Sequence, residues 1–363
     1  MIIARYLVKE VFTTLMGVMV VLLLIALSAQ LVGLFSQVTS GALNVDTVML
    51  VFGLKTITIL VFIIPLSLFL AILLAFGRLY RESEMVAIAA CGTGPAYVLR
   101  SVLGLALIVA VIQAVLSMQL APWAEAQIQR LSVAAQNSTD IQGIIAGRFK
   151  EMSEGVGVVY VEELNDSKDR MQNVFVEQQR DQGQSIVSAS SGYQYLDKKN
   201  GDRFMVLQDG YRYEGEPGKD NYTVIQFEKH GIRIRKKEAK VIHRRNYTIA
   251  TTELWRDSKP SYIAELQWRI SSVLMCLVLA VLAVPLSVSS HRRSNYGKLA
   301  VAIALYVVFT NLLTVSRDMV HKEQISPYLG LWWVHLVMIA LAVALLLRQT
   351  GVRHLFRKTV VTE

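Results

Sequence analysis

Six apolar stretches, divided three and three by a long polar segment, constrain this chain more than any other feature. Val11 to Leu34 has no Asp, Glu, Lys or Arg; Val48 to Phe76 has only Lys55; Tyr97 to Ala121 has Arg100 near its start. Ile270 to Ser290, Leu299 to Val315 and Leu329 to Leu347 have none of the four. A helix that crosses a bilayer needs roughly 20 apolar residues, whereas an amphipathic helix of a soluble domain interrupts such runs with polar residues at nearly every turn. Six spans are therefore predicted. The first run, about 24 residues, exceeds the h-region of a secretory signal and has no small-residue cleavage pattern after it, so it reads as a retained span.

Charge gives the orientation. The formal net charge is +9, yet residues 122–268 hold 21 basic and 21 acidic side chains, so the excess lies on the short loops and tails. Arg5 and Lys9 precede the first span; Arg78, Arg81 and Arg100 lie between the second and third; Arg292, Arg293 and Lys298 between the fourth and fifth; Arg348, Arg353, Arg357 and Lys358 follow the sixth. On the other side, Gln37 to Thr47 has no Lys or Arg, and Arg317 and Lys322 are offset by Asp318 and Glu323. The positive-inside rule places both termini in the cytoplasm and the polar segment outside. A basic excess dispersed this way argues against nucleic acid as a partner. Neither cysteine, Cys91 or Cys276, lies in the polar segment, so no disulfide holds it.

That segment opens with a helical stretch, Pro122 to about Ala135, where proline suits a first turn. Thereafter the period is two. Val158–Val161, Val174–Val176, Ser185–Val187, Phe204–Leu207, Tyr211–Tyr213, Thr223–Phe227 and Ile232–Arg235 are short and rich in β-branched and aromatic residues. Turn signals separate them: Asn165-Asp166-Ser167, Asp181-Gln182-Gly183, the hairpin signal Asn200-Gly201, and Glu216-Pro217-Gly218. Strands so spaced read as an antiparallel sandwich or jellyroll. Its interior could hold acyl chains or be ordinary packed core. The basic stretch Arg233, Arg235, Lys236, Lys237, Lys240, Arg244 and Arg245 reads as a charged strand edge or a face toward an anionic glycolipid. The predicted class is an α+β membrane protein: six transmembrane helices (3+3) with an extracytoplasmic antiparallel β-jellyroll between helices 3 and 4. Its parts are 1–121, 122–268 and 269–363.

No phosphate-binding G-x-x-x-x-G-K-[ST] loop, metalloprotease H-E-x-x-H, cysteine pair at metal spacing or G-x-S-x-G elbow is present. No cofactor is expected, and any ATP used must be hydrolysed by another chain. Pro-Leu-Ser recurs at 65–67 and 285–287, in spans running the same way; neighbouring groups can satisfy carbonyls that such prolines free. Gly77 to Gly92 is long for a plain connector. Ser83 could cap a short helix that Gly92-Thr93-Gly94-Pro95 ends. Met85, Ile88 and Ala89 share one face, and Glu84 sits where the helix dipole favours a carboxylate. A docking knob for a motor and a plain interfacial helix both fit. Lys55 could meet lipid phosphates or snorkel to headgroups; Asn311 and Gln113 read as helix–helix hydrogen-bonding residues.

Met1-Ile2-Ile3-Ala4-Arg5-Tyr6-Leu7, Ile64-Pro65-Leu66-Ser67-Leu68-Phe69-Leu70, Gly77 to Gly92, and Ala264-Glu265-Leu266-Gln267-Trp268-Arg269-Ile270 leading to Val284-Pro285-Leu286-Ser287-Val288 resemble the LptF/LptG permease family. The resemblance spans both helical parts and is closer to the F-type wording than to the G-type sister. It implies export of lipopolysaccharide from the Gram-negative inner membrane. It further implies an LptG-like permease, an LptB-like ATPase dimer that binds the ATP, an LptC-like single-span protein and an LptA-like bridge as partners. Glu84, with Glu82, Ser83 and Met85, would form the coupling helix seated in the ATPase. Spans one and five would form a lateral gate, and Lys55, Gln30, Leu34 and Asn311 are candidate lipid contacts. A structural or sensory membrane protein is the competing class. Lipoprotein-releasing and macrolide-type permeases put their large domain after the first of four spans, which the 3+3 order opposes.

Overall fold

A computed structural model describes residues 2–39, 45–142, 146–151, 157–165, 170–180, 183–196, 203–215, 222–234, 246–288 and 295–350. The chain forms two compact units, Met1–Val32, Phe52–Ile128 and Arg244–Glu363 making the first, Gly33–Val51 and Gln129–His243 the second.

Apolar helices build the first unit. In order they are α1 (Ile2–Thr39), α2 (Val45–Arg81), the short α3 (Glu84–Ala90), α4 (Pro95–Val115) and α5 (Ala121–Gln142), then α6 (Thr251–Leu254), α7 (Pro260–Ser287), α8 (Asn295–His321) and α9 (Trp332–Thr350). Ile2–Ser36, Thr47–Arg81, Pro95–Val133, Pro260–Ser287 and Gly297–His321 are long and apolar enough to cross a membrane. The chain is thus a multi-pass membrane protein. The sixth apolar stretch is shorter, Trp332–Arg348, because the segment before it turns rather than coils. At 1.5 Å per residue it reaches about 25 Å, less than the ~30 Å hydrocarbon core. Helix α7 is central and packs on α4, α8 and α9. Its Cys276, Leu279, Ala280 and Ala283 join Phe69, Ile72 and Phe76 of α2, Ala106 of α4, Phe309 of α8 and Val334 of α9 in one buried core.

Pro65, Pro122 and Pro285 lie inside helices, and the carbonyls freed by the first two find side chains elsewhere. Pro65 cannot donate to Val61 O; Gln113 Nε2 of α4 donates to it instead, at 2.8 Å. One residue on, Tyr306 Oη of α8 donates to Phe62 O at 2.8 Å. Pro122 likewise leaves Met118 O without its helical donor, and the Thr251 hydroxyl takes that place. The helix expected to start at Pro122 is therefore continuous with the span before it. A single π turn, Leu116–Leu120, joins α4 to α5 and absorbs the mismatch, so helix continues from Pro95 to Gln142.

The second unit holds a six-stranded antiparallel sheet in sequential order: β1 (Arg148–Glu151), β2 (Gly157–Leu164), β3 (Arg170–Arg180), β4 (Gly183–Leu196), β5 (Arg203–Gly215) and β6 (Thr223–Ile234). Two facing sheets, as in a jellyroll, are not seen among the described residues; short connections pair every strand with its sequence neighbour. The sheet is nonetheless creased. In β2 to β6 the inward-facing parity steps by one along a single row. Val161 gives way to Leu164, Met171 to Val174, Ala189 to Gly192, Leu207 to Gly210, and Phe227 to His230. The paired register is the same on both sides of the row, as Val161↔Val174 and Glu163↔Gln172 show. Asn173 and Asp209 lie on it with φ of 47° and 53°, a region that short polar side chains tolerate. Two consecutive residues of each strand lie on the polar side at this row, opposite the apolar face. Val159, Val161, Val174, Val176, Val187, Met205 and Leu207 cover it.

The crease also explains a difference from expectation. Phe204–Leu207 and Tyr211–Tyr213 are halves of one strand, as are Thr223–Phe227 and the residues from Ile232. The turns expected at 166–167, 181–182, 200–201 and 216–218, and the basic residues 235–245, lie outside the described residues.

Candidate functional site

The corner between α2 and α3 places the residues singled out for docking. Ser83 adopts φ 61°, ψ 7° and makes no side-chain capping hydrogen bond. It stands at the cap position, but its backbone does the capping: Ser83 O accepts from Val86 N and Ala87 N, both at 3.1 Å. The left-handed step at Ser83 turns the chain sharply out of α2. Met85 is 7% exposed and belongs to the core of the first unit, where it holds α3 down. Ile88 packs beside it, while Glu82, Val86, Ala87 and Ala89 are exposed and Glu84 is half-buried. Gly92, at φ +82°, ends the helix where a side chain would be strained, and Thr93 Oγ1 donates to Ile88 O.

Helix α1 reaches this corner. Tyr6 Oη donates to Glu84 Oε2 at 2.6 Å. One turn along α1, Glu10 forms an ion pair with Arg78 in the last turn of α2, and Arg78 lies 4.0 Å from Glu82. Tyr6 and Glu10 share one face at i, i+4, next to the buried stripe Leu7, Val11 and Leu15.

A second polar centre lies at the start of α7, and the reading of the sequence missed it. Arg269 and Glu265 are 2% and 3% exposed and joined Nε to Oε1 at 3.0 Å. Arg269 Nη1 donates to Thr251 Oγ1 at 2.7 Å, and Nη2 to Ile249 O at 2.9 Å and Tyr247 O at 3.3 Å. Ser117 in the π turn donates to Arg269 O at 3.3 Å. The other oxygen of Glu265 accepts from Arg317 Nη2 of α8 at 2.6 Å, and that guanidinium stacks over Trp268 at 5.1 Å. Gln267 donates to Pro327 O at 2.7 Å and accepts from Leu331 N at 3.2 Å, filling the space beside Gly330, φ +40°, that a Cβ would need. The visible signal was an i, i+4 Glu–Arg pair abutting an apolar run. Beside this centre Lys259 donates to Asp257 at 2.7 Å, which holds that exposed carboxyl below the ordinary carboxylate range.

The lipid-contact candidates lie on three helices, α1, α2 and α8. Lys55 in α2 is half-buried and makes no ion pair among the described residues. Gln30 in α1 is half-buried, and Leu34 is fully buried. Gln113 joins α4 to α2, as expected of a helix–helix residue. Asn311 is exposed and donates to Val307 O of its own helix at 2.7 Å.

Comparison with known proteins covers the residues of both centres. The family profile described as lipopolysaccharide export system permease LptF/LptG matches residues 5–348. The chain is 29% identical over 353 residues, 96% of each chain, to the protein named lipopolysaccharide export system permease protein LptF of Escherichia coli K12, and equally to that of Shigella flexneri. The α2–α3 corner, the α7 motif and the order of helices and sheet all fall within the matched span, and the chain belongs to the LptF/LptG family of lipopolysaccharide export permeases.

Proposed function

We propose that this chain is the non-catalytic F-type permease subunit of an ATP-driven lipopolysaccharide exporter of the Gram-negative inner membrane. It crosses six times, with both termini in the cytoplasm and the creased sheet in the periplasm as an open, jellyroll-like exit domain. The observation that carries this reading is the family match over residues 5–348. The exposed α3, half-presenting Glu84 at a fixed corner, supports the coupling role.

The physical need is plain. Moving an acyl chain from bilayer to water costs about 0.8 kcal/mol per CH2, so the lipid must stay covered. An apolar cavity shared with an LptG-like permease does this, with α1 and α8 as the lateral gate. An LptB-like ATPase dimer seated on α3 closes the cavity and drives the lipid toward the sheet, an LptC-like protein and an LptA-like bridge. ATP is bound by that ATPase, and this chain needs no cofactor.

Replacing Glu84 tests the reading. Glu84→Ala should insert normally, reduce co-purification of the ATPase and slow lipopolysaccharide export. Wild-type ATPase recovery together with wild-type export would sink the coupling role.

A further inference from the structure

We infer that Tyr6 is a positioning residue for Glu84, and that with the Glu10–Arg78 pair it forms a clasp by which movement of α3 reaches α1. This rests on the docking role proposed for α3. Three observations carry it.

First, the contacts flank the Ser83 corner on both sides. Tyr6 engages Glu84 just after it, and Glu10 engages Arg78, whose own neighbour is Glu82, just before it. Rotation of the corner therefore displaces both fastened residues of α1 together.

Second, the full burial of α1 is concentrated at the clasp. Leu7, Val11 and Leu15 are buried, Met16, Val18 and Leu22 pack only partly against the core, and the next fully buried residue is Leu34. The 18 residues from Met16 to Gly33 extend about 27 Å, so a small tilt at the clasp becomes a larger displacement along them.

Third, the carboxylate can serve two contacts. Tyr6 occupies Oε2, and a carboxylate offers about four lone-pair sites. The remaining acceptors of half-exposed Glu84 stay open to a basic group of the motor. The phenol thus fixes the rotamer of Glu84 and ties it to α1 without filling it.

The test uses the complete transporter in proteoliposomes containing lipopolysaccharide, with ATP hydrolysis and lipid release measured side by side. Tyr6→Phe removes only the hydroxyl. The ATPase should co-purify at wild-type stoichiometry and hydrolyse ATP, while lipid released per ATP falls roughly three- to tenfold, the scale of one typical lost hydrogen bond. Glu10→Arg and Arg78→Glu should each lower the same ratio, and the two combined should recover at least half of the loss. An unchanged ratio in Tyr6→Phe, or no recovery in the charge swap, overturns the clasp. Loss of the ATPase from the Tyr6→Phe complex also overturns it, since Tyr6 would then belong to the docking surface itself. Glu84→Ala separates the two ideas: if it keeps both ATPase binding and export, docking at α3 fails whatever Tyr6→Phe does.

Discussion

Arg269 shows how a full charge is held inside an apolar bundle. Its guanidinium has five N–H donors in a rigid fork, directed at Glu265, Thr251 and the backbone carbonyls of Asn246, Tyr247 and Ile249. Lysine could not reproduce this planar, divergent set. Removing one member of a buried pair costs more than the pair contributes, because the survivor keeps its desolvation penalty. Glu265→Ala would leave Arg269 without a carboxylate and Arg317 without its partner. We expect a loss of about 3–5 kcal/mol, read as a lower unfolding midpoint in detergent. Glu265→Gln keeps an acceptor toward Arg269 and should lose less. Equal midpoints for Glu265→Ala and the parent would refute the account.

At the scale of elements, the proline carbonyls act as sockets for other segments. Val61 O, freed by Pro65, is filled by Gln113; Met118 O, freed by Pro122, is filled by Thr251. Gln113→Leu should therefore cost about 1–3 kcal/mol for an unpaired buried carbonyl. Pro65→Ala in the same background restores the helical N–H and should regain part of that loss in a thermal unfolding series. Stability unaffected by Gln113→Leu, or no gain from the second change, would show that the socket is not what keys α4 to α2.

For the whole molecule, much of the plan was legible because it depends on composition and period. Apolar length marked the helices, and turn residues marked α3 between Ser83 and Gly92. The sheet was legible only in pieces, since the parity step at Gln208-Asp209 and Glu228-Lys229 erases the two-residue period that identifies a strand. The clasp was not legible, because Tyr6 and Glu84 are 78 residues apart and no local rule pairs them. Nor was the outward face of Asn311, which depends on where neighbouring helices lie. The gate proposal belongs at this scale. Photoreactive labels at exposed positions of α1, such as Leu24, and of α8, such as Val308, should crosslink lipopolysaccharide in the assembled transporter. Crosslinks confined to α2 and α4 would reject α1 and α8 as the entry.

The crease makes five strands share one reading frame. Each places its additional residue in the same row, so hydrogen-bond register survives the parity step and every inward side chain stays inward. Losing a single residue from β4 alone would turn half of that strand inside out while its neighbours kept their phase. The sheet can thus vary freely in the chemistry of its apolar face, yet its residue count across the row can change only in all five strands at once.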